Sequence, residues 1–286
     1  GTLQRLDHST HERELERLAV LSNRLPTAIT FSGTGGRVQW ATPGFERVTG
    51  YTLADVQGVQ PGYVLPGPKT DVETLSRIRQ AFLRGEEADE EILIYHKSGY
   101  PYWADMMIRP YQDEQGNVRG FLGLHVDATH RKLGERIMRV GFTAVLMRED
   151  VRTIALPEAS DLAVALLETQ TSNLRMNETY RRLFGVSASE RTTLEAADLD
   201  GQRCHAHLHT VAGKILAPAE HPLLLALSPD TDQPPQILRV EPLNSTAHEF
   251  AATTAFPVRD EAGRPLGAVF VALLLGPGKP PSRPNA

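Results

Sequence analysis

Apolar and polar positions along residues 92–127 predict three antiparallel strands. Residues 92–96, 102–110 and 118–126 are rich in β-branched and aromatic side chains, and glycine-containing turns separate the three runs. A meander of this kind buries only one face of its sheet. We therefore expect other elements to cover that face.

The residues before this meander predict those elements. Residues 27–32 and 37–41 form a hairpin pattern, short helical segments follow, and residues 71–84 carry a clear amphipathic helix. The acidic stretch 86–91 predicts a solvated loop. Two strands, several helices and three strands indicate an α+β fold with the helices on one face of the sheet. The space between the helices and the sheet is the natural ligand pocket.

The strand pattern recurs near the end of the chain. In residues 109–126 and 256–273, proline, an Asp-Glu-x-Gly turn and a further glycine stand at the same offsets. This recurrence predicts an internal duplication, and a chain of 286 residues suits two domains. The predicted layout is a helix over 1–25, a first domain over 26–128, a linker helix over 129–155, a second domain over 156–276 and a disordered tail over 277–286.

Composition narrows the function classes. The net charge of −5 argues against nucleic-acid binding, and no apolar run approaches the length of a membrane span. The single cysteine, Cys204, excludes an internal disulfide and fits a reducing compartment, so we expect a cytoplasmic protein. The missing initiator methionine suggests a fragment of a longer parent protein. No order of residues typical of a catalytic triad or a phosphate loop stands out, so we predict that the chain is not an enzyme.

Several motifs give the first half a family resemblance. Residues 42–51 contain a TxxFxxxxGY pattern, a turn of sequence HKSGYPYW follows at 96–103, and the third strand ends in Asp127-Ala128-Thr129. Residues 25–129 resemble the PAS family of sensory domains, and in detail the flavin-binding light-oxygen-voltage (LOV) subgroup. Thr42 stands where asparagine is usual in this family. Residues 162–275 resemble a second PAS domain, with Asn177 at the usual asparagine position. The resemblance implies two PAS-like domains, each a five-stranded antiparallel sheet with short helices on one face, joined by a linker helix.

By resemblance, the ligand pocket of the first domain involves Phe45, Tyr63, Leu75, Ile78, Phe82, Ile94 and His125. The cysteine that reacts with flavin in the LOV subgroup is replaced by Pro61, which has no nucleophile. Ile94 and Ala104 fall near the positions of the amides that hold the flavin edge, and His125 falls at the expected glutamine. The helix over 71–84 has no histidine to bind haem. We therefore expect no cofactor, neither flavin nor haem, and His125 is either a pocket group or an ordinary strand histidine.

The start of the linker helix carries a heptad pattern. Leu133, Ile137, Val140, Ala144 and Met147 follow 4-3-4-3 spacing, which is typical of a coiled coil. This pattern predicts a signalling helix and a homodimer. Packing of the helix on its own domain is the alternative.

Three histidines alternate along one short stretch. On a strand, His205, His207 and His209 would share a face and could hold zinc, although same-face neighbours lie nearly 7 Å apart. A packed or solvent-facing strand is the simpler interpretation, so we predict no metal site.

Together these features predict a sensory and dimerisation module of a bacterial signal-transduction protein, most simply the input region of a sensor histidine kinase in a two-component system. Ligand or partner binding would be relayed through the linker helix to an output domain or protein outside this chain. The alternative is a pair of PAS domains without ligand, which serves only protein–protein assembly.

Overall fold

The computed structural model describes residues 27–139, 156–187, 206–228, 234–243, 245–260 and 262–280. The chain divides into two compact units, residues 1–128 with 279–286 and residues 129–278. The helix predicted over 8–25 lies outside the described residues. None of the described helices is long and apolar enough to cross a membrane.

The first unit is built on a five-stranded antiparallel sheet. Its strands follow one another as β1 (Thr27–Gly33), β2 (Val38–Ala41), β3 (Ala88–Tyr95), β4 (Pro101–Gln112) and β5 (Val118–Asp127). In space the order is β2-β1-β5-β4-β3, so the first and last strands of the unit are neighbours at the centre. The predicted meander of three strands, β3 to β5, is confirmed.

Four helices connect β2 to β3. They are α1 (Pro43–Thr49), α2 (Leu53–Val56), α3 (Pro61–Val64) and α4 (Val72–Arg84). The Asp71 carboxylate caps α4 by accepting a hydrogen bond from the Thr74 amide, and Gly85 ends the helix in the left-handed region with φ 69°. The apolar stripe of α4 buries Ile78 and Ala81 against the unit.

The acidic stretch 86–91 differs from the prediction. Strand β3 already begins at Ala88, where a loop was expected. Two acidic side chains on this strand find cationic partners: Glu90 pairs with Arg77 of α4 at 2.6 Å, and Asp89 pairs with Arg109 of β4 at 2.8 Å. These partners come from elements distant in sequence, so the local acidity misled the prediction.

The second unit contains a larger sheet than predicted. It has six strands, where five were expected, and its helices are short except for the first. Its elements are α5 (Thr129–Arg139), β6 (Leu162–Glu168), β7 (Leu174–Met176), α6 (Glu178–Phe184), β8 (Ala206–Thr210), a 3-10 turn (Pro218–Glu220), α7 (Pro222–Leu227), β9 (Gln236–Pro242), β10 (Glu249–Arg259) and β11 (Pro265–Gly276). The spatial order is β7-β6-β11-β10-β9-β8, so β8 is the added edge strand.

Strand β11 is buried on both faces. Ala268, Phe270 and Ala272 belong to the main core, while Val269 and Val271 on the opposite face are also fully buried. This strand therefore differs from the meander of residues 92–127, for which one buried face is predicted. Helix α5 lies against β10 and β11.

The end of the chain also differs from the prediction at Lys279, which was expected to belong to a disordered tail. Its ammonium group donates hydrogen bonds to the carbonyl oxygens of Val64, at 2.7 Å, and Pro66, at 3.0 Å. Its backbone amide donates to the carbonyl of Gly99 at 2.8 Å. Residue 279 is thus held against the first unit.

Candidate ligand-binding site

A cavity lies between helices α3 and α4 and the inner face of the first sheet. It holds about 650 Å³ of empty space, which includes its opening to solvent, and its surface is mainly apolar. Its wall is formed by Thr30, Ser32, Phe45, Pro61, Gly62, Leu65, Pro66, Leu75, Ile78, Phe82, Ile92, Ile94, Met106, Ile108, Gly123, Leu124 and His125. A cavity of this kind is the usual setting for a small-molecule site.

The strand register explains which sheet residues face the cavity. Residues directly opposite each other in paired strands share a face. Thr30, Gly123 and Ile108 form one such row across β1, β5 and β4. Every polar side chain of the wall, on Thr30, Ser32 and His125, lies on β1 or β5. The cavity is therefore polar on its β1–β5 side and apolar on its β3–β4 side.

His125 is the titratable group of the cavity wall. Its Nε2 lies 3.1 Å from the hydroxyl of Tyr102, and its ring contacts Phe45 with centroids 6.1 Å apart. Burial in apolar surroundings lowers the pKa of His125 to about 4 and raises the pKa of Tyr102. Both side chains are consequently neutral at physiological pH, and the imidazole can both donate and accept a hydrogen bond.

The lowered pKa of His125 predicts acid sensitivity of the first unit. The unfolded chain takes up a proton near the ordinary pKa of 6.5, whereas the folded state does so only near 4, so stability is lost as the pH falls between these values. We expect the free energy of unfolding to drop by about 2 kcal/mol between pH 7 and pH 5 from this group. Urea unfolding followed by tryptophan fluorescence measures it, since Trp40 and Trp103 both lie in the first unit.

The control for this effect is His125→Gln. Glutamine retains a hydrogen-bonding group toward Tyr102 but does not titrate. The variant should lose about 2 kcal/mol less than the wild type over the same pH interval. An equal loss in both proteins would show that another group causes the acid sensitivity.

Six of the seven residues predicted for the pocket line this cavity. Phe45, Leu75, Ile78, Phe82, Ile94 and His125 are brought together there. Tyr63 is not: its side chain is 70% exposed, and the guanidinium of Arg79 lies 5.5 Å from its ring centroid. Helix α3 is a single turn, and successive residues of a helix point in different directions. Because Pro61 and Gly62 face the cavity, the next residue, Tyr63, points away from it.

Other wall residues were missed from the sequence. Thr30, Ser32 and Gly123 are the most informative of these, because they form the polar side or leave space on it. Side chains alternate along a strand, so Gly123 must share the face of His125. The sequence alone could therefore have placed Gly123 in the cavity wall together with His125. Ala104, expected near a flavin amide position, is fully buried. It is the cross-strand partner of Ile92, which lines the cavity, so both residues lie on the face of the sheet that is turned to the cavity.

The predicted signalling helix is described only in part. In α5, Leu133 is 1% exposed and Ile137 is half-buried, while Val140, Ala144 and Met147 lie outside the described residues. Arg136 of α5 pairs with Asp161 at 2.6 Å, within the same unit. The described part of the helix thus packs on the second unit, and the homodimer stays a prediction.

The histidine stretch is also described in part, because His205 lies outside it. His207 is exposed, whereas His209 is buried with its Nε2 2.8 Å from the Glu241 carboxylate and its Nδ1 3.2 Å from the Arg239 guanidinium. Among the described residues, no group of three histidine, cysteine or acidic side chains is placed to hold a metal ion.

Comparisons with known proteins show similarity that includes the first half of the chain. Residues 26–130 match the family described as PAS domain. Phototropin-1A of Oryza sativa subsp. japonica is 31% identical over 150 residues, which are 51% of this chain and 16% of that protein. A blue-light-activated histidine kinase of Rhizobium johnstonii is 25% identical over 252 residues, which are 86% of this chain and 69% of that protein.

Among solved structures, the LOV domain of an Erythrobacter litoralis blue-light activated histidine kinase is 29% identical, with a TM-score of 0.35. The match covers 37% of this chain and 99% of that one. The chain is thus similar to a phototropin and to blue-light-activated histidine kinases, and it spans only a small part of the plant phototropins that it matches. The duplication of the domain stays a prediction.

These similarities correct the expectation about cofactors. The expectation that flavin is unlikely is wrong, because the chain is similar to phototropin-1A and to a blue-light-activated histidine kinase. The side chains of the wall suit a flavin ring chemically. Apolar side chains could flank the flat ring, and the hydroxyls of Thr30 and Ser32 and the His125 imidazole could form hydrogen bonds with its polar edge. Flavin is a plausible occupant, whereas the prediction about haem stays a prediction.

Proposed function

We propose that residues 26–130 are the sensory input domain of a signalling protein, with a flavin-class ligand in the cavity as its signal-receiving group. The cavity under α3 and α4 carries this proposal, because it joins an apolar slot to a few polar side chains on one side. The similarity of the same segment to phototropins and blue-light-activated histidine kinases supports it.

Individual residues have distinct parts in holding such a ligand. Ile78 and Leu75 of α4 and Ile94 of β3 would contact the faces of the ring, while His125, Thr30 and Ser32 would bond its polar edge. Arg79 of α4 donates a hydrogen bond to the carbonyl of Gly62, a residue of the cavity wall, at 3.3 Å. Its guanidinium could meet a ligand phosphate there.

A bound flavin would supply light absorption and redox chemistry. The chain's only cysteine is Cys204, and residues 26–130 contain none, so this domain offers no thiol for a covalent bond to the ring. The response would instead act through hydrogen bonds and packing around His125. Such a response shifts the populations of two conformations when the ligand interacts differently with each.

A structural change in the cavity would be transmitted along β5. His125 lies in the wall, β5 ends at Asp127, and α5 begins at Thr129. We infer that α5 relays the change to an output domain, most simply that of a bacterial sensor histidine kinase acting as a cytoplasmic homodimer. Catalysis would then belong to the output domain and not to residues 26–130.

The experiment is an absorption spectrum of the purified 286-residue chain, before and after incubation with flavin mononucleotide and gel filtration. We expect retained flavin with a structured absorption band, released on denaturation and identified by mass spectrometry. Arg79→Ala should weaken retention, and Arg37→Ala, which removes an exposed arginine outside the cavity wall, is its control. Full loss of flavin on gel filtration would contradict the flavin assignment.

A further inference from the structure

The two sheets share a strand register that makes their residues comparable. Strand β1 pairs with β5 so that Gly33 lies opposite Gly120, and β6 pairs with β11 so that Glu168 lies opposite Gly267. Three residues further along β5 and β11, Gly123 lies opposite Thr30 and Phe270 lies opposite Ala165. Gly123 and Phe270 therefore occupy the same place in the two units.

In the first unit this place is empty of side chain. Gly123 is part of the cavity wall, and its φ lies outside the left-handed region, so the backbone alone does not demand glycine. A Cβ at this position would lie 2.7 Å from the Oγ1 of Thr30, which is too close without a shift. Glycine therefore leaves room for the Thr30 side chain and adds no side chain of its own to the cavity wall.

In the second unit the same place is filled. Phe270 is fully buried, and its ring makes edge contacts with Tyr180 and Phe184 of α6, both at 5.9 Å between centroids. Helix α6 begins after Asn177 as α1 begins after Thr42, so Tyr180 corresponds to Phe45 of the cavity wall. The phenylalanine and its two ring partners occupy the interior that corresponds to the cavity.

We propose that this single position determines whether the interior of each unit admits a ligand. Gly123 keeps the first interior open and sets the size of the ligand that it accepts. Phe270 closes the second interior with its own ring, so the second unit is the part of the chain that does not bind a ligand at this place. The identity of the ligand rests on the proposed function, but the role of Gly123 does not.

The test is a series at position 123 in the 286-residue chain, with two probes: flavin mononucleotide and indole, a smaller apolar molecule. Gly123→Ala and Gly123→Leu add increasing volume to the wall, and Leu122→Phe adds volume to the same strand outside the wall as the control. We expect Gly123→Leu to weaken binding of both probes at least 100-fold, Gly123→Ala to weaken flavin more than indole, and Leu122→Phe to change binding less than threefold.

The outcomes separate the two proposals. Binding of indole but not of flavin by the wild type, lost in Gly123→Leu, would overturn the flavin assignment and support the role of Gly123. Binding of either probe by a folded Gly123→Leu protein within threefold of the wild type would overturn the role of Gly123. If the wild type binds neither probe, the cavity is not an open site and this inference fails. Circular dichroism checks the fold of each variant, and Gly123→Ala decides the question if Gly123→Leu does not fold.

Discussion

Replacing Phe270 with alanine is expected to destabilise the second unit by about 3–5 kcal/mol. The ring is fully buried and packs against Tyr180 and Phe184, which stack on each other at 4.1 Å between centroids. Its removal takes apolar surface out of the core and leaves a cavity that the surrounding sheet and helix fill only in part. Thermal unfolding followed by circular dichroism measures the loss.

The two tryptophans make this measurement specific. Trp40 and Trp103 both belong to the first unit, so their fluorescence should report an unchanged transition in Phe270→Ala while circular dichroism reports an earlier one. Phe256→Ala removes a half-buried ring from the neighbouring strand β10 and should cost clearly less. Equal losses in the two variants would show that Phe270 does not fill the second interior.

The second large effect is expected at Asn177. This fully buried amide accepts hydrogen bonds from the backbone amides of Val164 and Tyr180, at 3.0 and 2.9 Å, and donates to the carbonyls of Pro157 and Leu162, at 2.9 and 2.7 Å. Asn177→Ala leaves these groups without that partner, and the second unit should lose about 3–5 kcal/mol.

Its matched control is Thr42→Ala in the first unit. Thr42 occupies the corresponding place before α1, but its hydroxyl accepts a hydrogen bond from the amide of Ile29, at 3.1 Å, and donates a long one to the Ile29 carbonyl, at 3.4 Å. The expected loss is about 1 kcal/mol, measured by urea unfolding. A loss at Thr42 as large as that at Asn177 would show that the number of hydrogen bonds does not determine the cost.

The difference between these two positions illustrates what the sequence could predict. The pattern of strands and turns located the first hairpin, and the resemblance placed Thr42 and Asn177 at one position of the family motif. The number of bonds that each side chain makes depends on residues such as Pro157 and Leu162, which no local pattern connects to Asn177. The same limit explains strand β3, where Arg77 and Arg109 neutralise acidic residues from distant elements.

The pocket residues were placed by resemblance alone. Ile94 and His125 line the cavity in the structure, whereas Tyr63, whose position depends on the orientation of one helical turn, lies outside it. The cofactor prediction failed because it rested on the loss of individual amides and the thiol. Alternative hydrogen-bonding groups from β1, on Thr30 and Ser32, appear only once the sheet is folded.

Entry of a flavin-class ligand into the cavity of the first unit can be followed by methyl NMR of isoleucine-labelled protein during titration with flavin mononucleotide. Ile78, Ile92, Ile94 and Ile108 line the cavity, whereas Ile215 and Ile237 belong to the second unit and serve as internal controls. We expect large shifts of the methyl signals of the four cavity isoleucines, caused by the aromatic ring, with the signals of the two control residues unchanged. Unchanged cavity methyls at saturating flavin, or shifts confined to Ile215 and Ile237, would contradict it.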